Sequence, residues 1–280
     1  MKPTIAALTV LYHPSEENIK SILSYSNYFD LHIIINNSES NYPSITEAFN
    51  KKNCFLIDNK ANLGVATALN KGAEIAINKG YQWLLTMDQD SYFENHSLEQ
   101  YFIEFEKLSD QNNIAVIGPT FIKKTNQIQC EDVNSLITSG SMLHLQNFEK
   151  IGNFNDNLFI DEVDHEYCYR ARLKNFKIIQ LNSIFMNHSL GDTKKIHQFN
   201  SKNNTRSLHA PIRLYYIIRN SRLTKKLYKK HFPKEVKRTE NDMWIRIKNN
   251  LIYGKQKTKT LYFIIRGYID YKRNKFGKYE

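Results

Sequence analysis

QWLLTMDQD, residues 82–90, decides the fold: six mostly apolar residues run straight into two carboxylates. The apolar part, 82–87, reads as a buried strand, the fourth of its kind. TIAALTVLY (4–12) is the first and ends in the turn signal His13-Pro14-Ser15. LHIII (31–35) is the second and stops at Asn36-Asn37-Ser38; CFLI (54–57) is the third. Helical patterns separate them. Ser15, then Glu17-Asn18, opens one through Ile19, Ile22, Leu23 and Tyr25, and another is expected around 44–52. A further one sets Ala, Leu and Ile at helical spacing over 65–79, with Gly80 just past its end as a cap. Strands that are apolar throughout and alternate with helices predict an α/β domain whose largely parallel sheet is covered on both faces. Ligands of such sheets sit at the carboxyl ends of the strands. That rule gathers three polar stretches, 9–15, 36–40 and 88–91, at one edge.

From residue 114 the pattern loosens to short strands near 114–118 and 141–145, then a strand pattern over 178–186. After about residue 210, Tyr, Ile, Lys and Arg recur at helical spacing, and there are no internal repeats. A chain of 280 residues is long enough for one α/β domain plus an extension. Its 41% hydrophobic and 24% charged content argues against disorder over most of its length. The net charge of +11 is unevenly placed: residues 1–212 hold 19 Lys and Arg against 23 Asp and Glu, whereas 213–280 hold 20 against 5. A tail of +15 on a mildly acidic body implies an anionic partner, with nucleic acid and anionic lipid as the candidates and a solubilising basic face as the plain alternative. Cys54, Cys130 and Cys168 are far apart and form no Cys-x-x-Cys pair, which argues against a zinc site or disulfide framework and fits a reducing compartment. Met1-Lys2-Pro3 leads directly into the first strand, so no secretory signal is expected, and no apolar run approaches the ~20 residues that span a bilayer.

Four constellations can carry chemistry. Asp88-Gln89-Asp90 puts two carboxylates at i and i+2 on a strand end, where they can share a hard cation that also holds phosphate oxygens. A solvated turn is the ordinary explanation of an Asp-x-Asp, and the preceding buried strand weighs against it. Asn62-Leu63-Gly64-Val65-Ala66 leads into Leu69-Asn70-Lys71-Gly72, and a Gly before a helix lets backbone N–H groups approach a ligand; a plain capped loop is the alternative. Residues 159–170, FIDEVDHEYCYR, crowd four acids into six positions. With a helix over 162–173, Asp164 lies near its N-terminus, where the dipole favours the ionised form a general base needs. An acidic helix start without a catalytic role is the competing reading. The fourth is Asn187-His188-Ser189-Leu190-Gly191-Asp192, in which His188 follows the strand pattern and precedes a Gly turn.

In this order the four resemble the family 2 glycosyltransferases of the GT-A fold, in particular the rhamnosyltransferase-like branch of bacterial polysaccharide synthesis. Thr9-Val10-Leu11-Tyr12, Ala68-Leu69-Asn70-Lys71-Gly72, Thr138-Ser139-Gly140-Ser141 and Arg213-Leu214-Tyr215-Tyr216-Ile217-Ile218-Arg219-Asn220 also resemble that branch. The resemblance spans about residues 4–222 and implies a GT-A domain over 1–222 with a basic helical extension over 223–280. It implies Asp88 and Asp90 as the metal-binding pair for Mg2+ or Mn2+, Asp90 as direct ligand and Asp88 nearer the ribose, with His188 as a further ligand. It implies Asp164 as the base and Glu166 as an acceptor-side carboxylate. Thr9, Tyr12, Asn36, Asn62, Gly64 and Asn70 are expected on the nucleotide side. Two departures stand out: Asn36 and Asn37 occupy a strand end where many relatives have Asp, and Val163 stands where many have Glu.

The activity so implied is inverting transfer of a sugar, L-rhamnose from dTDP-rhamnose as first choice, to a lipid-linked or surface polysaccharide such as O-antigen or capsule. Galactosyl, glucosyl and galactofuranosyl transfer are the alternatives. The chemistry agrees: a departing nucleoside diphosphate gathers negative charge that a divalent cation neutralises, and an acceptor hydroxyl needs a base. A nucleotidyltransferase would carry a Gly-rich basic phosphate loop near the N-terminus, which residues 9–18 lack. A nucleic-acid or lipid-binding module would leave the two acidic constellations unexplained. In the tail, Met243, Trp244, Ile247, Leu251 and Ile252, then Leu261, Tyr262, Ile264 and Ile265, alternate with Lys and Arg. Basic amphipathic helices of this kind lie at membrane interfaces, and a cap on the core is the other reading. The expected setting is cytoplasmic, peripheral at the inner face of the cell membrane, with no nucleic-acid partner.

Overall fold

The four apolar stretches are strands, and they lie side by side. β1 (Ile5–Leu11) pairs in parallel with β2 (His32–Asn36), which pairs in parallel with β3 (Cys54–Asp58), and β4 (Trp83–Asp88) pairs in parallel with the other side of β1. Almost every residue of β1, β2 and β4 is buried, as strands covered on both faces require. The crossovers are α1 (Glu16–Ser26), α2 (Pro43–Ala48) and α3 (Val65–Asn78). Ser15 caps α1, and Asn18 returns the bond in a reciprocal capping box. The computed structural model describes residues 3–40, 42–94, 96–108, 110–121, 129–188, 193–195 and 205–280, with the backbone alone for 187–188, 193–195 and 205–207.

The looser half of the sequence completes the sheet. β5 (Ser91–Phe93), β6 (Ile114–Thr120), β8 (Ser141–His144) and β9 (Lys177–His188) give the order β3-β2-β1-β4-β8-β6-β9-β5, and β7 (Cys130–Asp132) pairs beside β9. β8 runs antiparallel to both β4 and β6, and β6 and β9 are parallel, so the sheet is parallel on one side and mixed on the other. α4 (Ser97–Glu106), α5 (Leu145–Ile151) and α6 (Val163–Leu173) complete this first unit. One core joins Leu11, Ile34, Trp83, Leu85, Tyr101, Met142 and Ile179.

The chain divides into Met1–Asp156 with Val163–His188, and Asn157–Glu162 with Ser189–Glu280. α7 (Pro211–Tyr228) runs as one unbroken helix across 222/223, the boundary expected from the sequence. α8 (Pro233–Tyr253) and α9 (Lys257–Lys272) follow in the second unit, which also holds an antiparallel ribbon of β10 (Thr193–Lys195) and β11 (Thr205–Ser207). Proline opens α7 and α8 at a position where the missing N–H costs nothing. Leu214, Ile217, Ile218, Met243 and Ile247 form the α7–α8 core, and Tyr215, Tyr216 and Phe263 join Phe159 in a second cluster. Gly267 lets α9 approach α7: a Cβ there would meet the Tyr215 carbonyl oxygen at 2.6 Å. Backbone cannot step aside as a side-chain tip can. Gly267→Val should therefore lower stability by about 1–3 kcal/mol; a denaturant midpoint equal to wild type would contradict this close contact.

Candidate active site

β1 and β4 are in register, with Val10 opposite Asp88, so both strands release their chains at the same edge. The residue between the two acids joins these exits. Tyr12 N–H donates to Gln89 Oε1 at 2.8 Å, and Gln89 Nε2 donates back to the Tyr12 carbonyl at 3.1 Å. Asp88 N–H donates to the buried Ser139 hydroxyl at 3.2 Å. Ser139 is set by Gly140, whose φ of +74° and whose N–H bond to the Thr86 carbonyl turn the chain; a Cβ there would strike Met186 Sδ at 2.6 Å. Gln89 and Ser139 thus fix the strand end that carries Asp88 and Asp90. The first was hidden by its neutral side chain between two acids.

The residues expected on the nucleotide side separate into two groups. Tyr12 is 44% exposed and its ring meets that of His13 at a tilt of 59°; the His13 backbone N–H donates to Ser38 Oγ. Asn62 Oδ1 accepts from Gly64 N–H at 3.0 Å, and Gly64, at φ +86°, opens α3. Asn36 is buried, bonded through its amide to Asp58 Oδ1 and through its carbonyl to Ser38 N–H. Asn37 bridges from the Gly64 carbonyl to Asn59, tying the β2 exit to the start of α3. Thr9 lies elsewhere than expected: its side chain is fully buried, bonded to Tyr25 Oη and His32 Nε2, both at 2.9 Å. Burial pushes the His32 pKa down to about 3, so the network is held by a neutral imidazole. Asn70 is likewise structural. Its amide donates to the Phe154 carbonyl and Asp156, and its oxygen accepts from Phe154 N–H.

Asp88 and Asp90 are half-buried at this edge, and β9 sets His188 opposite Ser91, the residue after Asp90. The His188 side chain and residues 189–192 lie outside the described residues. Among the described residues, no three His, Cys, Asp or Glu side chains gather closely enough to hold an ion. Two carboxylates at a fixed strand end are nonetheless a hard-oxygen donor set of the kind Mg2+ and Mn2+ take.

The acids of 161–166 have divided roles. Asp164 stands in the first turn of α6, with 21% of its side chain exposed. Burial raises its pKa, but the His165 imidazole 3.3 Å away and the His165 N–H at 2.8 Å outweigh that, and the carboxyl is held below its ordinary value. It is therefore ionised near neutrality. Glu166 does not fit an acceptor-side role. It is buried and doubly bonded by Arg170, Nε to Oε1 at 3.1 Å and Nη2 to Oε2 at 2.9 Å. Arg170 continues to the carbonyls of Ile151, Gly152 and Asn153, so the pair fastens α6 to the loop after α5.

Within the second unit, the segment before α6 is strained and gripped. Phe159, Asp161 and Glu162 have φ of +65°, +64° and +66°. Left-handed backbone at such residues costs on the order of 1–3 kcal/mol each and persists only where surroundings over-determine it. α7 supplies the grip. Fully buried Arg219 donates to the carbonyls of Asn157, Leu158 and Gly277, and Asn220 Nδ2 to those of Leu158 and Ile160. Arg213 pairs with both oxygens of Asp161 at 3.2 Å. The Arg213–Asn220 motif is thus the clamp on this acidic loop.

The open sheet, parallel up to a strand exit that carries paired acids, and the carboxylate-bearing helix α6 define a GT-A-type α/β protein. Residues 15–180 match the family model described as glycosyl transferase family 2, and the chain belongs to that family. It is 27% identical over 259 residues to the dTDP-rhamnosyl transferase RfbF of Shigella flexneri, covering 83% of each chain. Among solved structures it is similar to GalNAc-T7, determined with UDP, GalNAc and Mn2+, with a TM-score of 0.54 and 11% identity over 93% of this chain and 59% of that one. It is also similar to S. aureus TarS 1–349, with a TM-score of 0.52 and 13% identity over 99% and 94% of the two chains. These two likenesses establish the fold.

Glu166→Ala should destabilise the protein by about 2 kcal/mol, the scale of lost hydrogen bonds to a charged partner. Turnover per folded molecule should stay within about threefold of wild type, well short of a general-base loss. A fall of a hundredfold or more in the folded variant, with stability unchanged, would restore Glu166 to the chemistry.

Proposed function

We propose that the protein transfers one sugar from a nucleotide-sugar donor with inversion, with Asp164 as the base. L-rhamnose from dTDP-rhamnose is the favoured donor, and a lipid-linked or surface polysaccharide the acceptor. The observation that carries the reading is a carboxylate kept ionised at the start of α6, in a family 2 chain whose β4 ends in a separate pair of acids. The rhamnosyl preference draws its support from the similarity to RfbF.

Asp164 accepts the acceptor hydroxyl proton as that oxygen bonds to the anomeric carbon. The bond from that carbon to the diphosphate oxygen breaks, and its electron pair leaves with the diphosphate. Attack from one face with departure from the other inverts the centre. Asp88 and Asp90 would hold a divalent cation, with His188 as a further ligand, and that ion would neutralise the charge on the departing diphosphate. Gln89 keeps the acids in place through Tyr12. Asn62 holds Gly64 in the turn that opens α3, where N–H groups can face an anion.

Asp164→Asn should lower kcat by roughly 10²–10⁴-fold with donor affinity nearly unchanged, the scale of general-base loss. A carboxyl held below its ordinary value remains a base down to acid pH. Asp164 should therefore put no acid limb into kcat/KM between about pH 5 and pH 8. Asp90→Ala, or EDTA on the wild type, should abolish transfer. Release of nucleoside diphosphate from a panel of nucleotide sugars tests the donor: turnover of dTDP-rhamnose is expected, and turnover of a galactosyl or glucosyl donor alone would overturn that choice. Collapse of donor affinity in Asp164→Asn, with bound donor still turned over, would reject the base.

A further inference from the structure

The second unit separates its apolar residues into two sets, and one of them faces solvent. On α8, Val236, Met243, Ile247 and Asn250 are buried, while Lys234, Arg238, Asn241, Ile245, Lys248 and Ile252 are exposed. The exposed set advances by four, three, four, three and four residues, which is a single straight stripe on a helix. On α9, Thr260, Phe263, Gly267 and Asp270 are buried, and Lys257, Leu261, Ile265, Tyr268 and Lys272 make the exposed stripe. Ile245, Ile252, Leu261, Ile265 and Tyr268 are each 47–56% exposed, as is Trp244 beside the first stripe. Such large side chains would ordinarily be covered, and here they recur at regular spacing between cations. Arg222 stands over the Trp244 ring, and Lys272 over Tyr268.

We infer that these two stripes form a docking face for an anionic membrane surface. The charge selects the occupant. Of the five acids in 213–280, Glu240 is taken up by Arg222 and Lys225, and Asp270 by Arg266, whereas Lys234, Arg238, Lys248, Lys257 and Lys272 stand exposed along the two stripes. A second copy would bring lysine against lysine. Nucleic acid would satisfy the charges but gain little from Ile245, Ile252, Leu261 and Ile265, which offer no ring to stack on. A bilayer interface accepts both kinds of group: aliphatic and aromatic side chains enter the headgroup boundary while Lys and Arg stems extend to anionic heads. Among the described residues no helix is long and apolar enough to cross a membrane, so contact through this face would be peripheral. The inference stands independently of the assignment of Asp164.

Flotation of the full chain with phosphatidylglycerol–phosphatidylcholine vesicles, and with phosphatidylcholine vesicles alone, tests it. Binding is expected to the first and not the second, and it should weaken well above physiological salt, because the screening length at about 0.15 M is already only about 8 Å. Each basic residue at the surface adds about 1 kcal/mol, or about fivefold, so the charge reversal K234E/R238E/K248E should weaken binding by at least about 100-fold. I245S/I252S and L261S/I265S/Y268S should each weaken it at least tenfold. All replaced side chains are exposed, and thermal melting with donor hydrolysis reports whether each variant is folded. The two serine sets and the reversal stand in for one another if one of them fails to fold. Folded variants that float like wild type, or equal flotation on neutral vesicles, would overturn the inference. So would variants that turn a dimer into a monomer with vesicle binding unchanged, or a wild type that binds an oligonucleotide but no vesicle.

Discussion

Parallel pairing of β1 with both β2 and β4 is the constraint on which the candidate site depends. Because the three strands run the same way and stay in register, their chains leave at one edge, at Tyr12, Asn37 and Gln89. Polar groups there would drift apart without cross-links, and the structure supplies them. Gln89 grips both backbone groups of Tyr12, and Asn37 spans from the Gly64 carbonyl to Asn59. Hydrogen bonds of this kind contribute about 1 kcal/mol each to stability. Their larger effect is geometric, since they hold a strand end with two carboxylates at a fixed place relative to the start of α3.

The second theme is that neighbouring acids are kept for different tasks. Asp161 is locked by Arg213, and Glu166 by Arg170. Asp164 lies between them in sequence, and its contacts from His165 both fall on one oxygen, Oδ1. Ion pairs made on both oxygens leave a carboxylate little capacity to accept a proton from a substrate. The strained backbone at Phe159, Asp161 and Glu162 has a matching cause: Arg219 and Asn220 satisfy the carbonyls of this loop and hold it in a shape it would not keep alone.

Most of the parallel half of the sheet could be read from the sequence, because apolar runs of four to nine residues between helical patterns leave few other architectures. The mixed half was less readable: β5 and β7 are three residues each, and α4 and α5 carry no distinctive start signal. In the proposed site, Asp88, Asp90 and Asp164 are singled out by position relative to an element end, at the exit of β4 and the start of α6. Thr9 could not be placed, since β1 is buried on both faces and alternation says nothing about which side chain meets a ligand. Glu166 left a usable signal in Arg170 four residues on, the spacing of a helical ion pair. Asn70 left none, because its partners lie more than eighty residues away. The tail was readable as basic and amphipathic, but only the packing of α7 against α8 and α9 separates Met243 and Ile247, which are covered, from Ile245 and Ile252, which are not.

The central claim is a single-step displacement with one base, and stereochemistry tests it most directly. The anomeric configuration of the product, read by proton NMR before any further reaction and compared with that of the donor, reports how many displacements occurred. One base and one displacement predict a product opposite in configuration to the donor. A product of the same configuration would mean two displacements or front-side attack, and would contradict the role given to Asp164.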